Sequence, residues 1–474
     1  MYNEDWGDED DYAGNIEQLL REYELMKNGE SVRYWDEQEF EIIVDYFYQN
    51  NREAEALTAC EFALLQHPFS TEFLILKAEL LFQAHKYRQA IKSLDELESR
   101  EFNSLEATIL RSDILVAQYK FDEAATLLEE RKNLFEGKEK MDLMLELAEI
   151  YDECEKYDEV FYTFEKILKL DPRNEEALHK ISFWADFADK HEESITLHQE
   201  LIDEDPYNAL AWFNLGAAYQ GLKFWEKAID AYEFCVAIDE TFEIAYRNMA
   251  DAYIRLRWYD KAIETLKKNL ELGKPEDVIY EAIGHCFEKK KNFDTARYYY
   301  IEATKLNPSD HTVYYKIGKT YAVQEDWAKA LVAFSRAYEL DNKNPEYPLA
   351  IGNCLIAQDE LMEAIACFLN AIKLKPNNRK YWLALVKALY MIQAFEDAKF
   401  TLEEGVEVCG EHADFDYYEA AILFSLGKTK QAMIKLEDGL AKSVRKLKTL
   451  LDVAPELLQR KSVVDVIAKY KKKK

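Results

Sequence analysis

Apolar residues recur along this chain in pairs of helical stripes, and the clearest pair lies between residues 209 and 242. The first stripe follows the spacing i, i+3, i+4 and i+7, which is typical of one face of an α-helix, and it consists of Trp212, Leu215, Gly216 and Tyr219. A break at residues 221–223 precedes a second stripe, which consists of Ala228, Tyr232 and Cys235. The pattern predicts two helices joined by a turn, in closest contact where Gly216 and Ala228 carry small side chains.

The same pattern recurs every 34 residues, with two extra residues before Met141. Twelve units result, and they begin at residues 37, 71, 105, 141, 175, 209, 243, 277, 311, 345, 379 and 413. The position of Ala228 is alanine in all of the other units but two, which hold Val160 and Ser194. One helix pair cannot bury its apolar face alone, so we expect the pairs to stack into one continuous array.

This pattern resembles the tetratricopeptide repeat (TPR) family. The resemblance rests on Trp212-x-x-Leu215-Gly216-x-x-Tyr219 and on Ala228 and Tyr232. It also rests on a proline that recurs at one position of several repeats, for example Pro308. It implies an all-α fold, an α-solenoid in which about twelve 34-residue helix-turn-helix units form a right-handed superhelix with a C-terminal capping helix. The first helix of each unit would line a concave groove that binds extended peptides or helices. Such a long array implies a cytosolic member of the family, of the bacterial kind. The first three units depart most from the pattern, at Val44, Lys77 and Arg111.

Residues 1–36 precede the repeats and form an acidic N-terminal segment with a net charge of −8. We expect disorder over residues 1–14 and a short amphipathic helix that Asn15 caps and that stops at Asn28 and Gly29. Its apolar stripe consists of Ile16, Leu19, Leu20, Tyr23 and Met26. This helix either caps the first repeat or folds back into the groove and competes with a ligand; the first alternative is favoured.

Residues 447–474 follow the repeats and hold two short apolar patterns, which we interpret as the C-terminal cap. Pro455 suits a helix start, and Ser462-x-x-Asp465 resembles a capping box. A basic tail ends this segment at residues 471–474, and from residue 441 onward the net charge is +8. The two ends of the chain therefore carry opposite charges.

Composition narrows the classes of partner and compartment. The net charge of −31 argues against nucleic acid or an anionic membrane as the main ligand. The acidic N-terminus is unlike a secretion signal, and no apolar run is long enough to span a bilayer. Seven scattered cysteines without a CxxC pair indicate reduced core residues. We therefore expect a cytoplasmic protein.

Motifs for catalysis are weak. Gly-Lys-Thr occurs at residues 318–320 and 427–429, but Val313 and Ile422 stand where a phosphate-binding loop needs its first glycine. The eight histidines show no metal-binding spacing, and His198 falls at the buried position of Tyr232. We therefore predict a protein that is not an enzyme and that has no cofactor and no metal site.

The groove is the remaining candidate site. Positions 2, 5, 6, 9, 12 and 13 of each first helix lie opposite the packing residues, and the family's architecture places that face on the concave side. In the first four repeats these positions carry eleven carboxylates and no lysine or arginine, which predicts an acidic groove: Glu41, Asp45, Glu72, Glu79, Glu106, Asp113, Asp142, Glu146, Glu149, Asp152 and Glu153. A solvated surface is the plainer interpretation of these charges.

The same positions of the middle repeats predict a second groove surface, which consists of Phe213, Asn214, Arg247, Asn248, Arg255, His285, Tyr315, Lys316 and Lys319. Family members commonly use asparagine at the position of Asn214 and Asn248 to bind a peptide backbone. The chaperone-tail clamp of some members needs Lys and Asn at positions 5 and 9. Those positions hold Arg247 and Asp251 in one repeat, so this clamp is absent.

These observations lead to two hypotheses of function. The first is a non-enzymatic adaptor that binds protein segments in the groove: a basic segment on the acidic part, and an acidic one at Arg247, Arg255, Lys316 and Lys319. The tail at residues 471–474 is a candidate basic ligand. The alternative is a structural scaffold or assembly subunit that acts through its outer faces and ends. The oligomeric state is left open, with a homodimer among the alternatives.

Overall fold

The computed structural model describes residues 9–30, 33–100 and 103–471. All regular secondary structure in these ranges is helical. The chain forms two compact bodies, Met1–Glu240 and Thr241–Lys474, and each is described by itself.

The N-terminal body begins with α1 (Glu9–Lys27) and continues with helix pairs. The pairs are α2 (Glu37–Gln49) and α3 (Glu53–Gln66), α4 (Thr71–Gln83) and α5 (Tyr87–Glu98), α6 (Leu105–Ala117) and α7 (Phe121–Arg131), α8 (Gly137–Glu153) and α9 (Tyr157–Leu170), α10 (Glu175–Phe187) and α11 (His191–Glu204), and α12 (Ala209–Gly221) and α13 (Trp225–Ile238). Each helix packs against the next one along the chain, as in a solenoid.

The C-terminal body continues the same arrangement. Its pairs are α14 (Glu243–Arg255) and α15 (Tyr259–Leu272), α16 (Asp277–Lys289) and α17 (Phe293–Leu306), α18 (His311–Val323) and α19 (Trp327–Leu340), α20 (Glu346–Ala357) and α21 (Leu361–Leu374), α22 (Arg379–Met391) and α23 (Phe395–Cys409), and α24 (Ala413–Ser425) and α25 (Thr429–Ser443). The helices α26 (Leu447–Val453) and α27 (Lys461–Lys471) follow, with a 3-10 helix at Pro455–Gln459 between them.

The helix starts coincide with the 34-residue period. Ten of the twelve first helices begin at the first residue of a repeat, and α20 begins one residue later because Pro345 is its N-cap. The two extra residues before Met141 lie in a short 3-10 helix (Lys132–Leu134) and a longer α8, which begins at Gly137. The local sequence therefore determines where nearly every helix begins.

The turn inside each pair has one conformation. Position 15 of all twelve repeats has a positive φ, and only Gly427 among these residues is glycine. At Lys223 the φ is 62°, its N–H donates to the Gln220 carbonyl, and the next N–H donates to the Tyr219 carbonyl. These two bonds form the Schellman motif that ends many helices, so the turn geometry repeats with the sequence.

Buried residues of the predicted stripes form the core of each pair. Ala228, Tyr232 and Cys235 are fully buried, as the packing pattern predicts. His198 is fully buried too, which confirms its assignment to the core. All seven cysteines are free.

The N-terminal segment packs on the first repeat. Helix α1 begins at Glu9, so the prediction that Asn15 caps it and that residues 9–14 are disordered was wrong; residues 1–8 lie outside the described part. The buried ring of Tyr23 contacts Phe47 of α2 and Phe62 of α3, at centroid distances of 5.7 and 6.3 Å. These contacts agree with the capping alternative, because the ring lies in the core of the first pair.

The C-terminal helices complete the core of the last repeat. Val463 and Ile467 of α27 and Leu450 of α26 are buried in one cluster with α24 and α25. Pro455 begins the 3-10 helix. Ser462 is not an N-cap, because α27 already begins at Lys461. No described helix is long and apolar enough to cross a membrane.

Candidate functional site

The inner face consists of the side chains at positions 2, 5, 6, 9, 12 and 13 of the first helices, and these positions meet between neighbouring repeats. In the C-terminal body, Lys316 of α18 pairs with Glu281 of α16, and Lys319 lies 3.9 Å from Glu288. In the N-terminal body the same positions bring carboxylates together. The inner face is therefore a surface of neighbouring charges whose signs are set by the sequence of each repeat.

The predicted acidic residues face one another in pairs across successive first helices. Glu41 of α2 lies beside Glu72 of α4, and burial together with the Glu72 charge raises the pKa of Glu41. Burial and the neighbouring Asp113 and Glu149 carboxyls raise the pKa of Glu146 to about 7. A carboxyl in such surroundings gains strongly from an added positive charge.

Counter-charges for this acidic surface are few. Glu149 of α8 lies 3.7 Å from the ammonium of Lys180 on α10, so the fifth repeat supplies a counter-charge that the first four repeats lack. The other ten form no ion pair within 4.0 Å with any described residue. Since Lys180 also pairs with Glu176 at 2.8 Å, it neutralises the surface only in part.

A cavity of about 760 Å³ opens on this face between α6, α8 and α10, and we call it the α8–α10 cavity. Its acidic wall consists of four of the predicted carboxylates, Glu146, Glu149, Asp152 and Glu153. Its floor includes the buried Val160 and Phe164 of α9. The structure thus brings these four carboxylates to one concave surface that also exposes apolar atoms.

Aromatic side chains of α10 also line the cavity, and we call them the aromatic wall. Phe183 and Trp184 of α10 line the cavity, and their rings lie 5.0 Å apart. Phe187 and Tyr157 extend the cluster, since Phe187 lies 5.0 Å from Phe183 and 5.2 Å from Tyr157. Phe183 and Phe187 are 55% and 57% exposed, which is unusual for packed rings. These rings give the cavity an exposed apolar surface beside its carboxylates.

The residues of this aromatic wall were not among those predicted from the sequence. The same position rule, applied to the repeat that begins at Glu175, would have given His179, Lys180, Phe183 and Phe187 at positions 5, 6, 9 and 13. The signal was therefore present in the fifth repeat. What the period does not show is that this repeat and the fourth enclose a cavity, because enclosure depends on the angle between α8 and α10.

The predicted basic residues of the middle repeats have neighbouring carboxylates. Arg247 lies 2.8 Å from Glu276, and Arg255 lies 3.5 Å from Asp251. Together with the pairs of Lys316 and Lys319, these contacts leave the surface near neutrality. An acidic ligand would have to compete with each of these carboxylates.

Asn214 does not line a surface. It is buried, and its side-chain amide donates to the Leu178 carbonyl at 2.7 Å, so the prediction that it binds a peptide backbone was wrong. Phe213 and Asn248 are half-buried on α12 and α14. The pKa of His285 is lowered by burial and by nearby lysines.

Tyr315 of α18 and the basic tail complete the set of predicted site residues. The ring of Tyr315 lies 5.2 Å from that of Tyr347. Residues 472–474 of the predicted basic ligand lie outside the described residues, and Lys471 ends α27. In the described chain no group of three His, Cys, Asp or Glu side chains is placed to hold a metal ion.

A comparison with protein-family profiles agrees with this architecture. The profile described as tetratricopeptide repeat matches residues 245–272, 282–345 and 349–378. No curated protein sequence matches the chain.

One similar solved structure is that of YrrB, a TPR protein with an unusual peptide-binding site. It is 19% identical to this chain, the match covers 41% of this chain and 97% of YrrB, and the TM-score is 0.35. The C-terminal part of a TPR repeat-containing protein from Cytophaga hutchinsonii is 18% identical, covering 54% of this chain and 99% of its own (TM-score 0.44). The Cut9–Hcn1 complex of the APC/C is 13% identical, covering 84% and 96% (TM-score 0.35).

The matched residues are the same helix pairs in which the 34-residue period, the repeated turn and the small residues at the helix contacts were observed. The period continues through both bodies. The profile matches at residues 245–272, 282–345 and 349–378 support a member of the tetratricopeptide repeat family.

Proposed function

We propose that the chain is a non-enzymatic adaptor that binds a basic protein segment on the acidic inner face of its N-terminal body. Repeats of this family support a role in protein–protein interaction. The observation that carries the finer proposal is the α8–α10 cavity, where carboxylates and exposed rings share one concave surface. A basic segment is the ligand whose charge complements it.

The electrostatic attraction comes from several carboxylates together. One exposed ion pair contributes only about 0.2–1 kcal/mol. A concave wall of low dielectric constant concentrates the field of several carboxylates, which mainly accelerates association. The effect should weaken when salt shortens the Debye length from about 10 Å at 0.1 M to about 3 Å at 1 M.

The test uses the full chain and a labelled heptapeptide in which four lysines alternate with three serines. Reversal of Glu146, Glu149 and Glu153 to lysine is expected to slow association at low salt and to have little effect at 1 M salt. A control variant reverses Glu130, Glu193 and Glu200, which are exposed on second helices of the same body. If both triple variants bind the peptide at the rate of the wild type, the acidic face is only a solvated surface.

A scaffold is the second candidate, and one observation favours it. Position 22 of a repeat lies on its second helix. In four of the last five repeats this position carries a large apolar side chain that is 58% to 71% exposed: Tyr298, Val332, Phe400 and Ile434. The same position is mostly polar in the first seven repeats, for example Thr58 and Glu264. A regular exposed apolar surface is typical of a protein interface, and a second copy of the chain is the partner that would cover it in a homo-oligomeric scaffold.

Sedimentation velocity distinguishes the two candidates. If the scaffold hypothesis holds, the wild type self-associates at micromolar concentration, and the Val332→Ser/Phe400→Ser variant is monomeric. A wild type that stays monomeric while it binds the lysine peptide leaves the adaptor as the function. The acidic-face triple variant serves as the control for self-association, because it does not change the outer face.

A further inference from the structure

We infer that the α8–α10 cavity recognises two features of its ligand together, a large apolar side chain and an adjacent lysine or arginine; this inference rests on the function proposed above. The proposed function requires only positive charge. The geometry of the cavity points to a narrower class of ligand, because the acidic wall and the aromatic wall face the same space.

The apolar part of the cavity lies between α9 and α10. Phe164 and Val160 are almost completely buried and form the floor, while Phe183 and Trp184 form one side. A volume of about 760 Å³ is in the range of binding cavities for small molecules, so it can hold an apolar side chain and the stem of a lysine. The exposed ring of Phe183 would lose contact with water when such a side chain enters.

The charged part of the cavity lies along α8. Glu146, Glu149 and Glu153 are spaced by three and four residues, so they lie on one side of the helix. Lys180 shows that this wall accepts a cation, since its ammonium lies 3.7 Å from Glu149. An incoming lysine would compete with Lys180 for Glu149 and would reach Glu146 and Glu153, which form no ion pair with a described residue.

The two features are adjacent because α8 and α10 belong to neighbouring repeats. Trp184 and Glu149 line one cavity although 35 residues separate them in the sequence. A segment that carried only lysines would leave the rings exposed, and a segment that carried only apolar residues would leave the carboxylates without a counter-charge. A segment with both features satisfies both walls.

The experiment compares two labelled heptapeptides with the same four lysines. In the first, the other three residues are serines; in the second, phenylalanine replaces the central serine. With the wild-type chain we expect the phenylalanine peptide to bind at least tenfold more tightly in fluorescence anisotropy. Equal affinities of the two peptides would overturn the inference and leave the proposed function intact. Failure of both peptides to bind would overturn both.

Variants then identify the residue that distinguishes the phenylalanine peptide from the serine peptide. Phe183→Ser should reduce the affinity ratio of the two peptides to about one. Phe234→Ser is the matched control, because Phe234 is 54% exposed in the same body and lies outside the cavity. Both rings are on the surface, and circular dichroism melting verifies that the variants fold. A ratio that Phe183→Ser leaves at the wild-type value would overturn the inference.

A third variant tests the place of the cation. Lys180→Met removes the chain's own competitor for Glu149, so both peptides should bind more tightly by the same factor. If the variant weakens either peptide, the cation does not bind beside Glu149 and the assignment of the charged part is wrong.

Discussion

A Cβ atom added to Gly216 would lie 2.5 Å from Cε1 of Tyr232, so the ring of the second helix occupies the space that any larger residue on the first helix would need. The same relationship joins Gly284 to Tyr300 and Gly318 to Phe334. Where the first residue is alanine, the second can be leucine, as at Ala250 and Leu266. Glycine with a large ring and alanine with leucine are therefore two of the residue pairs that occur at this helix contact.

Gly216→Ala is expected to destabilise its repeat by up to about 2 kcal/mol. Overpacking a core costs roughly 1–3 kcal/mol, and the better helix propensity of alanine returns about 1 kcal/mol of it. The double variant Gly216→Ala/Tyr232→Leu should recover at least half of the loss. Hydrogen exchange of α12 and α13 measures both effects, and purely additive losses would contradict the relationship.

The positive φ at position 15 predicts opposite effects for two substitutions. Gly427→Ala should destabilise the last repeat by about 1 kcal/mol, because a side chain at this φ of 76° is strained. Lys223→Gly removes such strain, but glycine loses more conformational entropy on folding than lysine does. The net effect should therefore lie between zero and about 1 kcal/mol of stabilisation. Thermal melting of the two variants compares them directly, and loss of stability in Lys223→Gly would be the contrary result.

His198 should make the N-terminal body sensitive to acid. Its Nδ1–H donates to the Ser194 carbonyl at 2.7 Å, and burial lowers the pKa of the ring to about 4. Because the unfolded chain binds this proton near pH 6.5, stability is intact above that pH and falls as the pH decreases toward 4, by roughly 3 kcal/mol at most.

His198→Phe removes this titration and places a ring that the fold already uses at Phe164. Its urea midpoint should therefore depend less on pH between 6.5 and 4 than that of the wild type. Equal slopes for the two proteins would show that His198 does not control acid stability.

The contact of Tyr23 with the first repeat predicts the effect of removing α1. Tyr23→Ala is expected to cost about 3–5 kcal/mol through lost burial and a cavity, and deletion of residues 1–36 should likewise lower the melting temperature. Tyr23→Phe is the control. Its hydroxyl is buried without a hydrogen-bond partner among the described residues, so losing it should be neutral or stabilise by about 1 kcal/mol. Improved stability after the deletion would contradict the role of α1 as a cap.

Binding of the lysine peptide should strengthen as the pH rises from 6 to 8. Glu146 has a pKa of about 7, and a bound cation favours its ionised form, so binding releases a proton. Isothermal titration calorimetry in buffers of different ionisation enthalpy measures this release.

The neighbouring groups set the control for this experiment. Asp113 of α6, Glu149 of α8, and His179 and Lys180 of α10 surround Glu146, and His179 is a second titratable group of the cavity. Glu146→Gln therefore isolates the contribution of the carboxyl, and a variant with unchanged proton release would assign the effect to another group.

The fold follows from the sequence because every element is local. A repeat contacts only its neighbours. The helices are therefore determined by features that recur every 34 residues, namely the small residue at the position of Ala228, the turn at the position of Lys223 and the proline after the second helix, and they need no distant contacts. The unit starts could be placed to the residue for the same reason. Exceptions occur where the period stops, as at Asn15 and Ser462, because no neighbouring copy indicates where the helix begins.

The site depended on tertiary structure. The sequence determined which carboxylates of α8 lie on the inner face, since a helix fixes the direction of its own side chains. Only packing between repeats decided that Glu149 shares a cavity with Trp184, that Lys180 is its counter-ion, and that Asn214 is buried. The physical reason is that charge pairing and enclosure depend on the distance and angle between helices of different repeats, and side-chain packing sets these in a way that a repeating pattern does not encode.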